Sequence, residues 1–274
     1  MTQSRPDHRD NSPLDFPPIA PRPPSGLYER FFKRPLDIVF ALLALLVFSW
    51  LYLLVALLVR VKMGSPVVFK QPRPGLVDPQ TGHERIFNLF KFRTMTDATD
   101  SGGNLLPDDQ RLTRFGKMLR ATSLDELPEV FNILKGDMSI VGPRPQLVRD
   151  MVFMTPRQRL RHTVRPGLSG LAQVMGRNAI SWDDKLDFDL RYIQRLSFLS
   201  DLRIIATTVK QVFFRPDITQ SSSEIDITLD FGDELLREGR VDAARYRLLQ
   251  DLARQMLKSH DLSIPNGPVE RKPS

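Results

Sequence analysis

The chain contains no cysteine among its 274 residues, which excludes disulfides, thiolate metal sites and cysteine nucleophiles. Histidine is scarce as well. His8, His83, His162 and His260 are the full set, and none stand at the H-x-x-x-H spacing of a helix-borne zinc site. No internal repeat points to a solenoid, and no recognisable module or basic-aromatic pattern marks a nucleic-acid binder. Acidic residues are in the minority: 39 Lys and Arg face 32 Asp and Glu, a formal charge of +7. That excess favours anionic partners such as lipid headgroups or phosphorylated substrates. With 41% hydrophobic and 26% charged residues the composition is that of a folded protein.

Charge is absent altogether from Ile38 to Val59, where Ser49 is the one clearly polar side chain. As a helix this run would be about 33 Å long, enough to cross the hydrocarbon core of a bilayer. It is apolar on all sides, unlike a core helix of a soluble domain. It also begins late, after a proline-rich stretch, and no small-residue cleavage site follows it, unlike a signal peptide. Lys33 and Arg34 flank its start; Arg60 and Lys62 flank its end. A simple span places its positive flank on one side only. Basic residues at both ends favour a re-entrant helix that enters, turns and leaves on the same side, with a plain span carrying a local Lys and Arg excess as the alternative.

The remaining chain divides by composition. Residues 1–26, rich in Pro, Ser, Asp and Arg, read as a disordered arm. Tyr28 to Asp37 is an amphipathic lead-in suited to a membrane interface, so 27–62 forms the anchoring region. Val67–Phe69 and Ile86–Met95 have strand character, with a turn expected at Gln71-Pro72-Arg73-Pro74-Gly75. In an extended Ile86–Met95, Lys91 and Arg93 share a face. Helices are expected at Asp108–Arg120, Pro128–Lys135, Arg157–His162, Phe198–Phe214 and Val241–Leu257. The apolar stripe of Phe198–Phe214 fits core packing and a membrane surface equally well. The fold class is therefore α+β and predominantly helical, with a membrane helix, amphipathic interfacial helices and a small strand element. A body over 63–215 is followed by an extension over 216–274, with Thr219–Ser223 as a linker and a disordered end at Pro265–Ser274.

Adjacent acids stand at Ser123-Leu124-Asp125-Glu126-Leu127-Pro128. The commonplace explanation is a capping box, Ser123-x-x-Glu126, with acids answering a helix dipole. Pro128 speaks for an irregular turn instead, because inside a continuous helix it would remove a hydrogen bond. Gly142-Pro143-Arg144-Pro145, Arg165-Pro166-Gly167 and Gly176-Arg177-Asn178 each hold an arginine beside Pro or Gly. With Lys91 and Arg120 they suit the binding of phosphate oxygens.

These segments, with Phe90-Lys91-Phe92-Arg93-Thr94-Met95 and Lys135-Gly136-Asp137-Met138-Ser139, occur in the order and spacing of a known family. From about Arg30 to Arg215 the chain resembles the bacterial sugar transferases, the monotopic polyprenyl-phosphate phosphoglycosyl transferases. The resemblance implies an enzyme of the inner membrane of bacteria, with its catalytic domain on the cytoplasmic face. It implies transfer of a sugar 1-phosphate from a UDP-sugar to polyprenyl phosphate, initiating exopolysaccharide, O-antigen, capsule or glycoprotein glycan assembly. Asp125 is then the nucleophile that carries the phosphosugar, and Glu126 assists and ligates Mg²⁺. Lys91, Arg93, Arg120, Arg144, Arg177 and Asp189 fall at substrate-binding positions. UDP-sugar, polyprenyl phosphate and membrane lipids are the implied partners, nucleic acid is not, and a homo-oligomer is compatible with the same reading. A non-catalytic membrane scaffold for glycan assembly is the competing function. The family commonly breaks its membrane helix with a Ser-Pro pair, whereas Ser49-Trp50 stands here, so re-entry rests on Ser49 bonding to the backbone and on the flanking charges.

Overall fold

The apolar run is one helix, α1 (Lys33–Met63), led by a π-helical turn at Tyr28–Phe32. It passes through Ser49-Trp50 without interruption, and the Ser49 hydroxyl donates to the Leu46 carbonyl at 3.1 Å. Gly64, at φ 79°, ends the helix. The computed structural model describes residues 16–24, 26–176, 180–214 and 229–263. Arg177, the Thr219–Ser223 linker, the Pro265–Ser274 end and the first part of the arm lie outside the described residues.

Both ends of α1 rest on the same body. At the start, Lys33 donates to Asp201 and the Val141 carbonyl, Arg34 to the Ile133 and Leu134 carbonyls, and Asp37 accepts from the Ile140 N–H. Towards the end, Tyr52 donates to the Leu127 carbonyl at 2.8 Å, while Val55 and Val59 are buried against Phe92 and Leu119. Between them, Leu46 to Trp50 are exposed on every side, which no residue periodicity of a packed helix would give.

The body is α+β and mostly helical, as expected. Strands β1 (Val68–Val77) and β2 (Glu84–Phe92) form an antiparallel pair in register from Val68↔Phe92 to Val77↔Glu84. The turn expected at Gln71–Gly75 is thus part of β1. Pro72 and Pro74 are tolerated because alternate residues aim their N–H groups away from β2, so no ladder bond is lost. The actual turn is Asp78–His83, where Gly82 takes φ 69°.

Asp108–Arg120, expected as one helix, is two: α2 (Asp108–Arg111) and α3 (Arg114–Ala121). Leu112 is drawn into extended conformation by a bridge to Met95, and the Thr113 hydroxyl caps α3 through the Gly116 N–H. Helix α4 (Glu129–Lys135) closes with Gly136 at φ 96°. It lies along the free edge of β2, where buried Asn132 accepts from the Phe90 N–H and donates to the Asn88 carbonyl. The side chain supplies what a third strand would have bonded.

Strands β3 (Ser139–Val141) and β4 (Gly167–Ser169) pair in parallel and bring two proline-glycine motifs together. A Cβ on Gly142 would meet the Arg165 carbonyl oxygen at 2.3 Å, and one on Gly167 the Gly142 nitrogen at 2.0 Å. These glycines serve close backbone approach. Short helices α5 (Val148–Met151) and α6 (Pro156–Arg159), a 3-10 turn at Leu160–Thr163, and α7 (Leu171–Gly176) follow around them. Helices α8 (Trp182–Gln194) and α9 (Phe198–Phe214) complete the family-like body. On α9 Asp201 and Ile204 are buried in the body, whereas Phe198, Leu199, Leu202 and Val209 are exposed apolar groups.

The described parts of both extensions pack on the body. In the arm expected to be disordered, Ile19 donates its N–H to the Gly82 carbonyl, and Phe16 lies 3.5 Å from the Arg159 guanidinium. That arginine is wholly buried and paired with Glu84 through both carboxylate oxygens. Phe16 covers the cationic face, the Pro17 carbonyl accepts from Arg159 at 2.7 Å and Ile19 is buried, so the proline-rich segment is held in spite of its composition. At the other end α10 (Phe231–Arg237) and α11 (Ala243–Ser263) pack with α5 and the start of α8 into one apolar cluster.

Candidate active site

After α3 the chain turns through Ser123, which adopts the left-handed φ 54°, ψ 19°, and enters a 3-10 turn at Leu124–Glu126. Ser123 caps nothing with its side chain, so the capping-box expectation is not met. Left-handed backbone at a residue with a Cβ costs about 1–2 kcal/mol. The turn survives because α3 and α4 hold it from either side, and Pro128 stands where the regular helix has not yet begun. Consecutive acids are thereby sent to different surroundings.

Glu126 is clamped. Its Oε1 accepts from Lys91 Nζ at 2.8 Å and from the Arg144 guanidinium at 2.5 Å. Lys91 rises from β2, also reaching Glu129 at 3.3 Å, and Arg144 comes from the Gly142–Pro145 loop. Burial alone would raise the Glu126 carboxyl, but Arg144 and Lys91 outweigh it and bring it down to about 2. The Glu126 charge in turn holds Arg144 above the usual guanidinium range.

Asp125 is buried, with 7% of its surface exposed, yet it forms no ion pair or hydrogen bond with another side chain among the described residues. Burial raises its carboxyl; Lys91 opposes that shift, Glu126 adds to it, and Arg120 opposes it. An unpaired carboxylate held beside cations without being tied to them is available for attack on phosphorus. Arg120 itself is anchored by Nε to the Thr94 hydroxyl at 3.0 Å.

The structure therefore gathers Lys91, Arg120, Asp125, Glu126 and Arg144 around one turn. It sends two other expected residues elsewhere. Arg93 follows the end of β2, and its three nitrogens serve the Met95 carbonyl, the Ser65 carbonyl and Asp97. Face-sharing with Lys91 fails because the strand stops at Phe92. Asp189 is buried on α8 and pairs with Arg161, whose NH2 group donates to the Arg144 carbonyl at 2.6 Å. It acts on the loop, not on the acids. Arg165, one of the arginines held beside a proline, bonds the Gly136 carbonyl and does not join them.

Glu129, Arg73 and Arg161 were not singled out by sequence. Glu129 stands one helical turn after Glu126, a spacing that puts both on one side. Its carboxyl is pushed up to about 7 by burial and by the Glu126 charge. Arg73 sits between two prolines, as Arg144 does. It donates to the Pro145 carbonyl at 3.1 Å and to Gln71, and burial together with the nearby Arg144 brings it down to about 10.

Among the described residues no three His, Cys, Asp or Glu side chains gather as a metal cage. Glu126, whose Oε1 takes both cations, keeps its second carboxylate oxygen for a hard cation such as Mg²⁺. That ion is commonly held by one or two carboxylates together with substrate phosphates and waters.

A family model described as bacterial sugar transferase matches residues 28–215. The uncharacterized sugar transferase EpsL of Bacillus subtilis is 48% identical over 190 residues, covering 69% of this chain and 91% of that protein. The UDP-N-acetylgalactosamine-undecaprenyl-phosphate N-acetylgalactosaminephosphotransferase of Aeromonas hydrophila is 39% identical over 197 residues. That alignment covers 69% of this chain but 45% of the relative, so the chain spans less than half the length of that protein. The exopolysaccharide production protein ExoY of Sinorhizobium fredii is 36% identical over 198 residues, covering 66% of this chain and 84% of its own length. With the family model spanning more than half of the sequence, and the matched segments folding around one acidic turn, the chain belongs to the bacterial sugar transferase family.

Proposed function

We propose that this protein is a membrane-bound polyprenyl-phosphate hexose-1-phosphate transferase working through a covalent intermediate on Asp125. The observation that carries this reading is the asymmetry of the acidic pair: Glu126 is bound by Lys91 and Arg144, while buried Asp125 is left unpaired. The Aeromonas relative's name, a UDP-sugar and undecaprenyl-phosphate phosphotransferase, supports the donor and acceptor classes.

In the first step an Asp125 carboxylate oxygen forms a bond to the sugar-linked phosphorus of the UDP-sugar. The anhydride bond to UMP breaks, and UMP departs with the electron pair. In the second step a polyprenyl phosphate oxygen attacks the same phosphorus, and the P–O bond to Asp125 breaks to restore the carboxylate. The acyl phosphate retains the activation of the original anhydride, so no further energy source is needed. A carboxylate approaching a diphosphate at 4 Å meets a repulsion of about 4 kcal/mol per like-charge pair at an effective dielectric of 20. Lys91, Arg120 and Arg144 offset it by placing positive charge on the phosphate side of the turn. Glu126 is the residue that would hold Mg²⁺, which when bound would supply further charge neutralisation on the diphosphate.

The acceptor's phosphate lies at a bilayer surface, and the exposed apolar groups of α1 and α9 would seat the body there. Both ends of α1 contact that body, which supports a helix entering and leaving on one side; the cytoplasmic face of the inner membrane is the side the family resemblance implies. The test is Mg²⁺-dependent release of UMP from UDP-sugars by membranes containing the protein and polyprenyl phosphate. Asp125→Asn is expected to abolish release and labelling of the protein by a radiolabelled β-phosphate. Undiminished turnover in that variant would remove Asp125 from its role.

A further inference from the structure

The family match ends at residue 215, yet the segment described from Leu229 onwards is built into the wall behind Arg144. Phe231 and Leu235 of α10 are fully buried. Gly232 presses so closely on Phe153 that a Cβ would lie 2.5 Å from the ring. This is core packing, with no slack for an independently moving module.

Two tethers run from this segment to the Arg144 loop. The first is Asp150, with 2% of its surface exposed. One carboxylate oxygen accepts from the Phe231 N–H at 3.0 Å, at the start of α10. The other accepts from the Leu147 N–H at 3.3 Å, just past Pro145. A single carboxylate thus joins the extension to the loop, and an ion pair between Arg149 and Asp230 lies beside it. The second tether is Trp182, which opens α8 and donates its indole N–H to the Leu229 carbonyl at 2.9 Å. Its ring packs on Phe231 with centroids 5.3 Å apart. About two turns along the same helix, Asp189 holds Arg161, and Arg161 holds the Arg144 carbonyl.

We propose that residues 229–263 are a positioning unit of the active site, which acts through Asp150 and Trp182 to hold the Gly142–Leu147 loop with Arg144 aimed at Glu126. Asp150 and Trp182 are positioning residues: neither touches the acids. Pro143 and Pro145 make the loop stiff, so a displacement at Leu147 is transmitted to Arg144 and not absorbed. The proposal rests on the reading that Arg144 and Glu126 belong to the catalytic machinery.

The test uses the full chain in membranes or detergent. Asp150→Asn removes one of two acceptors, and Trp182→Phe keeps the ring but loses the N–H. Each is expected to lower kcat for UMP release about tenfold or more, with a smaller change in KM, since misplacements of about 1 Å have effects of that order. In an Arg144→Lys background the same substitutions are expected to add less than about twofold, because neighbours acting through one group are not independent. Amide hydrogen exchange over 142–147 is expected to quicken in both variants, and Arg85→Ala, exposed on β2 and paired with Asp78, is expected to change neither readout. Full multiplication of the effects in the double variants, or unaltered exchange over 142–147, would overturn the proposal. A wild-type rate in Arg144→Lys alone would instead overturn the underlying reading of the site, with the exchange result still reporting on the tether.

Discussion

Lys33, the first residue of the apolar helix, places its ammonium 2.6 Å from the Asp201 carboxylate, 168 residues further along the chain. Tyr28 donates to the same Asp201 oxygen at 2.8 Å, and Tyr192 to the other at 2.9 Å. One buried acid therefore joins the π-helical turn, α1, α8 and α9. The membrane helix is fastened to the catalytic body at its root, before its apolar part begins.

Removing that acid leaves an ammonium with 11% side-chain exposure without its counter-charge. Asp201→Asn is expected to cost about 3–5 kcal/mol, the usual penalty for breaking a buried pair from one side. A paired Lys33→Met, Asp201→Leu variant is expected to lose less than Asp201→Asn, because no unpaired charge remains. Thermal or denaturant unfolding in detergent measures both, and additive losses would argue against a coupled pair.

Both ends of α1 contact one body, so they are expected on one side of the bilayer. The absence of native cysteine makes this directly testable. Leu27→Cys and Val61→Cys, at exposed positions flanking the apolar stretch, should react with a membrane-impermeant maleimide from the same side. Labelling from opposite sides would establish a span instead.

Glu129 carries a prediction about pH. Burial and the Glu126 charge push its carboxyl from an ordinary 4.5 to about 7. The folded state then binds the proton more tightly than the unfolded state, so this group favours folding most below pH 4.5 and that advantage is lost as pH rises to about 7. Glu129→Gln mimics the protonated acid and leaves Lys91 to Glu126. It is expected to exceed the wild type in stability by about 1–3 kcal/mol above pH 7, with the difference closing towards pH 4.5. Denaturant titrations at pH 5 and pH 8 separate this from a pH-independent effect.

The parallel pairing of β3 and β4 depends on glycine. Gly142→Ala sets a methyl group 2.3 Å from the Arg165 carbonyl oxygen, a backbone atom that cannot swing away. Its expected cost is about 3 kcal/mol or more, with loss of UMP release because Arg144 stands two residues further along the same loop. Gly103→Ala is the control: nothing lies within 4 Å, and only its φ of +81° is strained. There the expected cost is about 1 kcal/mol with activity kept. Equal losses at both positions would refute the role of close approach.

Sequence by itself determined the long apolar helix, because an uninterrupted charge-free run of this length satisfies its backbone within one helix. It also determined the α+β class, most helix positions and the membership of the acidic turn, since Asp125, Glu126, Lys91 and Arg144 stand in short, rigid motifs. Local pattern was enough wherever a feature depends on neighbours in the chain. It failed at Gln71–Gly75, where composition signalled a turn but pairing with β2 held the segment extended. It failed also at residues 16–24 and at Phe231–Arg237, where polar or proline-rich surroundings hid Phe16 and Phe231 as long-range packing groups, although the helix expected at Val241–Leu257 is present as α11. Only the tertiary structure decided which charges meet. Arg144 reaches Glu126 while Arg93, Arg165 and Asp189 are spent on backbone carbonyls or buried partners, because a charge's role depends on distance and burial, and neither is written in residue order.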